Sequence, residues 1–227
     1  MKLKSLFYRS PVLSALSLTL TLALAAGMGN ASASTVIGAT GVSSPQGTLG
    51  GRYPLVNTIN QSSLSATYVS GITDFASYTA TTTSGQLIGS GFTGFSTNGP
   101  QQFTFDLGAS FSIDGIAIWN TDSVGAISRF DVYADDDGDF SNGVGAQILG
   151  PSSLNTSSAA NVFDFASVQT RYVHLQGLAS LDAPDFYGLN EVVFSGTTAP
   201  VPEPETYALM LAGLAMVGAA ARRRKAK

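Results

Sequence analysis

The 227-residue chain has no cysteine, which excludes disulfides, thiolate catalysis and Cys-ligated metals. It has one histidine, His174, so a transition-metal site would lack a second imidazole, and a serine triad would have to use that single base. Nothing flanking the serines forms a nucleophile elbow. Basic residues are scarce and sit at the ends. Of the 11 Lys+Arg, three lie in the first nine residues and five in the last six, leaving Arg52, Arg129 and Arg171 for everything between. That middle region holds 13 acids against three bases, a formal net charge near −10. Such a surface repels phosphate backbones and excludes nucleic acid as a partner. Glu191 is the only glutamate in this stretch, so a glycosidase would have to build its carboxylate pair from aspartates. These shortages together argue against an enzyme.

Both ends of the chain are addresses. Met1 to Arg9 carries Lys2, Lys4 and Arg9, and Val12 to Ala26 is an uncharged Leu/Ala-rich run followed by Ala31-Ser32-Ala33. This order predicts a secretory signal peptide over residues 1–33, cut after Ala33 by signal peptidase. At the other end, residues 200–227 hold Pro202-Glu203-Pro204, an uncharged run from Tyr207 to Ala221, and a basic end with Arg222, Arg223 and Arg224. The prolines keep the motif extended and open to a processing enzyme. Fifteen helical residues rise roughly 22 Å, short of the roughly 30 Å hydrocarbon core. The run is therefore expected to be a short transmembrane helix, inserted only tilted or transiently, with the arginines held in the cytoplasm. The tail resembles the PEP-CTERM sorting signal of Gram-negative bacteria. That resemblance implies recognition and removal by an exosortase, transient anchoring in the inner membrane, and delivery to the cell surface or exopolysaccharide matrix.

The body, residues 34–199, is long enough for one domain with its own core. Its first third is rich in Ser, Thr, Gly and Asn, which predicts loops and short strands, with a helical turn possible over Ser62 to Val69. From Gln101 the pattern sharpens: Phe103, Phe105 and Leu107 alternate with polar residues, the period-2 signature of a half-buried strand. A turn at Gly108 to Ser110 and strands at Phe111–Asn120, Ser128–Ala134, Val162–Phe165, Arg171–Gln176 and Glu191–Phe194 complete the expectation. Short strands with no long helix between them predict an all-β antiparallel β-sandwich. The runs FTFDLGASFSIDGIAIWN (Phe103 to Asn120), ISRFDVYADDDGDF (Ile127 to Phe140), TRYVHLQ (Thr170 to Gln176) and GLNEVVFSG (Gly188 to Gly196) resemble the coagulation-factor 5/8 type C, or discoidin, family. The resemblance implies a galactose-binding-like jelly roll that binds glycans, lipid head groups or proteins through loops at one end. It assigns no ligand residue here.

Two stretches carry suggestive chemistry. Asp135, Asp137 and Asp139 lie two apart beside Gly138, a spacing that can converge on Ca²⁺, with Asn142 as a further oxygen; the distal bidentate glutamate of an EF-hand is missing. A solvated acidic hairpin is the alternative, because Asp and Gly are ordinary turn formers. In LDAPDFY, Asp182, Asp185, Phe186 and Tyr187 can offer stacking and hydrogen bonds to a sugar, or the aromatics can cap the sandwich. His174 and Trp119 are expected as packed residues and Arg171 as a structural ion-pair partner. Two functions follow: a non-catalytic module that binds exopolysaccharide or another glycan, or a structural and adhesive matrix protein without a small-ligand site.

Overall fold

The computed structural model describes residues 33–49, 51, 53–85, 90–93, 100–122, 124–139, 142–182, 185–198 and 212–214. The chain divides into two compact units, Met1–Ala33 and Ser34–Lys227, and the fold below belongs to the second. The signal peptide and the sorting residues Pro202, Glu203, Pro204, Arg222, Arg223 and Arg224 lie outside the described residues. Within the apolar run of the tail, residues 212–214 form one helical turn. No helix among the described residues is long and apolar enough to cross a membrane.

The strands are β1 (Thr35–Gly38), β2 (Gly41–Ser43), β3 (Gly91–Phe92), β4 (Gln101–Asn120), β5 (Ile127–Asp135), β6 (Ala146–Ser153), β7 (Asn161–Ser180) and β8 (Gly188–Thr198). They pair antiparallel in the order β1-β8-β4-β7-β5-β6, with β2 added to β4 and β3 to β8. Two strands of 20 residues, β4 and β7, make this a sandwich. Gln101 to Asp106 of β4 pairs with β2 and with Tyr172–Gly177 of β7, whereas Phe111 to Asn120 pairs with β8 and with Asn161–Thr170. Each long strand thus crosses from one sheet to the other, as strands do at sandwich corners through bulges. The register breaks between Asp106 and Phe111, where Gly108 takes φ +82, a conformation open to glycine at no steric cost. The expected turn at Gly108 to Ser110 is therefore a bend inside one strand. The stretches 162–165 and 171–176, expected as separate strands, belong to one strand for the same reason.

A second register shift, between Ile113 and Gly115, reverses which side chains face inward. Phe103, Phe105, Leu107 and Ile113 point into the main core, and beyond the shift Ile116 and Ile118 do so. Ala117 and Trp119 then face the opposite side, where Val36, Tyr68, Phe75, Tyr78 and Val193 form a second core. The Ser/Thr-rich first third of the body supplies this cover. It contains a 3-10 helix at Leu55–Thr58 and one α-helix, α1 (Phe75–Thr81), started by Asp74, whose carboxylate accepts the Ser77 N–H at 2.8 Å. Residues 62–69 form turns and bridges rather than the helical turn expected there. Trp119 is fully buried and donates from Nε1 to the Thr82 carbonyl at 3.0 Å.

Because both long strands double back, the sandwich has a bend end and a loop end. The bend end carries both termini of the body: Thr35 pairs with Gly196, Phe111 pairs with Thr198, and Asp114 accepts hydrogen bonds from Ser34 Oγ (3.1 Å) and Ser195 Oγ (2.5 Å). Residues 136–139 and 142–145, between β5 and β6, are there too. At the loop end the described residues 82–85, 90–93, 121–122, 124–126, 154–160, 181–182 and 185–187 meet.

Candidate functional site

The loop end is held together by two buried asparagines. Asn120 Nδ2 donates to the carbonyls of Ile127 (2.8 Å) and Asn155 (3.2 Å). Asn190 Nδ2 donates to the carbonyls of Gly85 (3.1 Å) and Asn120 (3.0 Å), while its Oδ1 accepts from Ser90 Oγ. The main chain adds Ser84 N to Ser158 O at 2.7 Å. Buried amides with every partner supplied specify one arrangement of the loops they tie. Over this frame lies a cavity of about 230 Å³ lined by Ser84, Gly85, Asp122, Thr156, Ser157 and Ser158 above the two asparagines. Its exposed groups are hydroxyls and one carboxylate.

The β4–β5 loop that brings Asp122 to the cavity also carries Val124, 53 % exposed. Leu181, 43 % exposed, joins that loop by backbone bonds from Gly125 N to Leu181 O and from Leu181 N to Ala126 O. Phe186 is half-buried against Phe92, ring centroids 5.7 Å apart. Tyr187 is not available for stacking: it is 6 % exposed and part of the main core, filling the space above Gly177. Of the LDAPDFY residues, Asp182 is exposed, Asp185 and Phe186 are half-buried, and Tyr187 caps the sandwich. The two aromatics split because the strand partner of Tyr187, through Thr93, turns its ring inward.

The acidic hairpin is at the other end. Asp135 Oδ1 accepts from Asp136 N at 2.7 Å, and Asp135 Oδ2 lies 3.5 Å from His174 Nε2. Asp137 accepts from Asp139 N and from Asn142 Nδ2, both at 2.8 Å, and these hydrogen bonds hold its carboxyl below the usual carboxylate range. Asp139 lines a wider cavity of about 510 Å³ with Ser43, Ser44, Pro45, Gln102, Thr104 and Gly138. Though larger, that cavity has Pro45 as its only large apolar wall. A sugar ring needs an apolar surface for its C–H face as well as polar partners; the lining of the smaller cavity is polar throughout, and the exposed apolar side chains described at the loop end are Val124 and Leu181. Among the described residues no group of three or more His, Asp or Glu comes together as a metal would require. His174 is fully buried, bonded to Thr104 Oγ1 at 3.0 Å, and burial lowers its pKa despite Asp135. Arg171 clamps Asp106 with two bonds of 2.8 and 2.9 Å, pinning β7 to β4.

The lone glutamate of the body proves chemically unusual. Glu191 on β8, opposite Trp119, is fully buried under the 61–68 loop. Its Oε2 accepts from Gln61 N at 2.9 Å and its Oε1 has no partner among the described residues. Burial pushes its carboxyl up to about 8. Gln61 adopts φ +62 to make that bond, a conformation uncommon for a residue with a side chain.

Fold and loop end define a galactose-binding-like β-sandwich, mostly antiparallel. The F5/8 type C domain profile matches residues 54–191, more than half of the sequence, and the chain belongs to that family. Residues 200–225 match the PEP-CTERM protein-sorting motif, which marks an exported protein with a C-terminal anchor. No curated protein matches the chain. Among solved structures, the family 32 carbohydrate-binding module of Clostridium perfringens NanJ in complex with galactose is similar at 15 % identity and TM-score 0.49, over 71 % of this chain and 98 % of that one. Truncated AlyQ, with a family 32 module and an alginate lyase domain, is similar at 16 % identity and TM-score 0.50, over 74 % of this chain and 35 % of that one. The isolated AlyQ module in complex with 4,5-unsaturated mannuronic acid is similar at 15 % identity and TM-score 0.48, over 70 % and 97 %.

Proposed function

We propose that this protein is an exported, non-catalytic module that binds glycan of the exopolysaccharide matrix through its loop end. Signal peptidase would free Ser34, and the tail would hold the chain in the inner membrane of a Gram-negative bacterium until exosortase acts. The observation that carries this reading is the placement of the hydroxyl-lined cavity, and on the same end of the sandwich of Val124, Leu181 and Phe186, opposite both body termini. A body tethered by its tail presents that end away from the membrane.

The adhesive alternative needs a free sheet edge for self-pairing. Edge strand β6 contains Pro151, which donates no backbone hydrogen bond, and two register breaks against β5. A second edge, β1, is covered by bonds between Val36 and the 71–73 loop. Both features make these two edges poor partners for self-pairing. Ser158→Trp, at an exposed loop position, tests the assignment by filling the cavity. Binding of the exported protein to its matrix glycan is expected to fall at least about tenfold, which corresponds to about 1.4 kcal/mol, with an unchanged melting temperature. Undiminished binding would move the site elsewhere.

A further inference from the structure

The buried carboxyl of Glu191 and the wall of the loop-end cavity are held by one segment, residues 61–68. Gln61 is its junction: the N–H donates to Glu191 Oε2 at 2.9 Å, the carbonyl accepts from Leu64 N at 3.2 Å, and Oε1 accepts from Tyr68 N at 2.9 Å. From there the segment reaches the cavity. Ser63 O accepts from Gly85 N, Ser65 N donates to Thr83 O at 2.8 Å, Ser65 Oγ accepts from Thr83 N at 2.9 Å, and Leu64 bridges Ser84. Ser84 and Gly85 line the cavity. Ser63 Oγ also donates at 3.3 Å to the carbonyl of Asn190, the neighbour of Glu191 whose amide ties Gly85 to Asn120. Loosening the segment at Gln61 therefore removes support from Ser84 and Gly85.

The other titratable side chains facing the carboxyl among the described residues are Tyr68 of the segment and Tyr78 of α1, whose hydroxyls are pushed up by burial and stay neutral in mild alkali. Neither supplies a positive charge, so an ionised Glu191 needs water. Pairing with β4 at Trp119 fixes β8 there, and the irregular 61–68 segment is the cover that can open. We propose that Glu191 is a positioning residue for the cavity and that its protonation sets glycan affinity, an inference that rests on the binding reading above. The neutral carboxyl keeps the segment closed and Ser84 and Gly85 in place; ionisation opens the segment and weakens binding. Ionisation at about 8 leaves about nine-tenths of the molecules protonated at about pH 7 and about one-tenth at about pH 9, and affinity scales with that competent fraction. The dissociation constant should therefore rise about tenfold between those values.

The test uses the exported protein, polysaccharide extracted from the matrix of the producing cells, and EDTA in every buffer so that the proton alone neutralises the carboxyl. Binding and tryptophan emission are followed from about pH 7 to about pH 9. Trp119 is the only tryptophan; it pairs with Glu191 across β4 and β8 and donates from Nε1 to the Thr82 carbonyl, so its emission reports opening without any ligand. Affinity is expected to fall about tenfold and emission to shift to the red with the same midpoint, both changes being absent in Glu191→Gln. The wild type alone gives both readouts, so the test stands even where the variant does not fold. Binding that is flat across the range would overturn the coupling and leave the binding module intact. A fall in affinity without a change in emission, or one that persists in Glu191→Gln, would do the same. Failure to bind the polysaccharide at any pH would overturn the binding reading and the coupling together.

Discussion

Replacing Glu191 by glutamine should make the protein less sensitive to alkaline pH. The carboxyl ionises near 4.5 in an unfolded chain and near 8 in the folded one, so between those values folding takes up a proton. Its contribution to stability is complete below about pH 4.5 and is lost as pH rises through about 8, at up to about 1.4 kcal/mol per pH unit. His174 has the opposite dependence: its pKa is lowered from 6.5 on folding, so its effect sets in as pH falls toward that value. That contribution is common to the wild type and a Glu191 variant, so their difference from about pH 6.5 to 8.5 isolates the glutamate, and over that range the wild type should lose about 2 kcal/mol attributable to Glu191. For a body of this size that is about 4–8 °C in melting temperature. Glu191→Gln keeps the shape and an acceptor for Gln61 N without a titrating proton, so its melting temperature should gain on that of the wild type by that amount across the range. The assay is a thermal melt of the exported protein and the variant in matched buffers. Parallel pH profiles would refute the buried neutral carboxyl. A calcium-dependent rise in the wild type that disappears in Glu191→Gln would also refute it, because a cation would then be replacing the proton.

Two further outcomes are expected. Asp137 already receives hydrogen bonds from Asp139 N and Asn142 Nδ2, so Asp137→Ala should leave any difference between melts in calcium and in EDTA unchanged. A calcium-dependent rise lost in that variant would place an ion in the acidic hairpin. Deleting Arg222 to Lys227 should disturb sorting, read by fractionating cells and medium, while the melting temperature of the body stays the same; normal sorting would count against the tail as an address.

Several features were legible from residue order because they depend on short-range chemistry. The alternation of Phe103, Phe105 and Leu107 against polar neighbours identifies a half-buried strand wherever that strand ends up, and Trp119 in its apolar surroundings reads as core. The PEP-CTERM motif is read as a linear sequence and needs no fold to be recognised. Helix α1 escaped notice because it is only seven residues long, although Asp74 three residues before Ser77 was a usable capping signal and Phe75 with Tyr78 has the i, i+3 spacing of a buried helix face.

Tertiary structure decided the rest. A glycine at position 108 reads as a turn, yet pairing on both sides of it keeps one strand running through a corner. Phe186 and Tyr187 are adjacent and chemically alike, and only the bonds through Thr93 determine which ring fills the core. Glu191 looks like any strand carboxylate until the 61–68 loop, more than 120 residues earlier in sequence, closes over it and removes its water. The sequence alone determined strand chemistry, the charge balance and the sorting motif, because each can be read along the chain without its fold. The sandwich corner, the loop-end cavity and the neutral carboxyl needed the fold, because each is made by segments that meet only when distant strands pair.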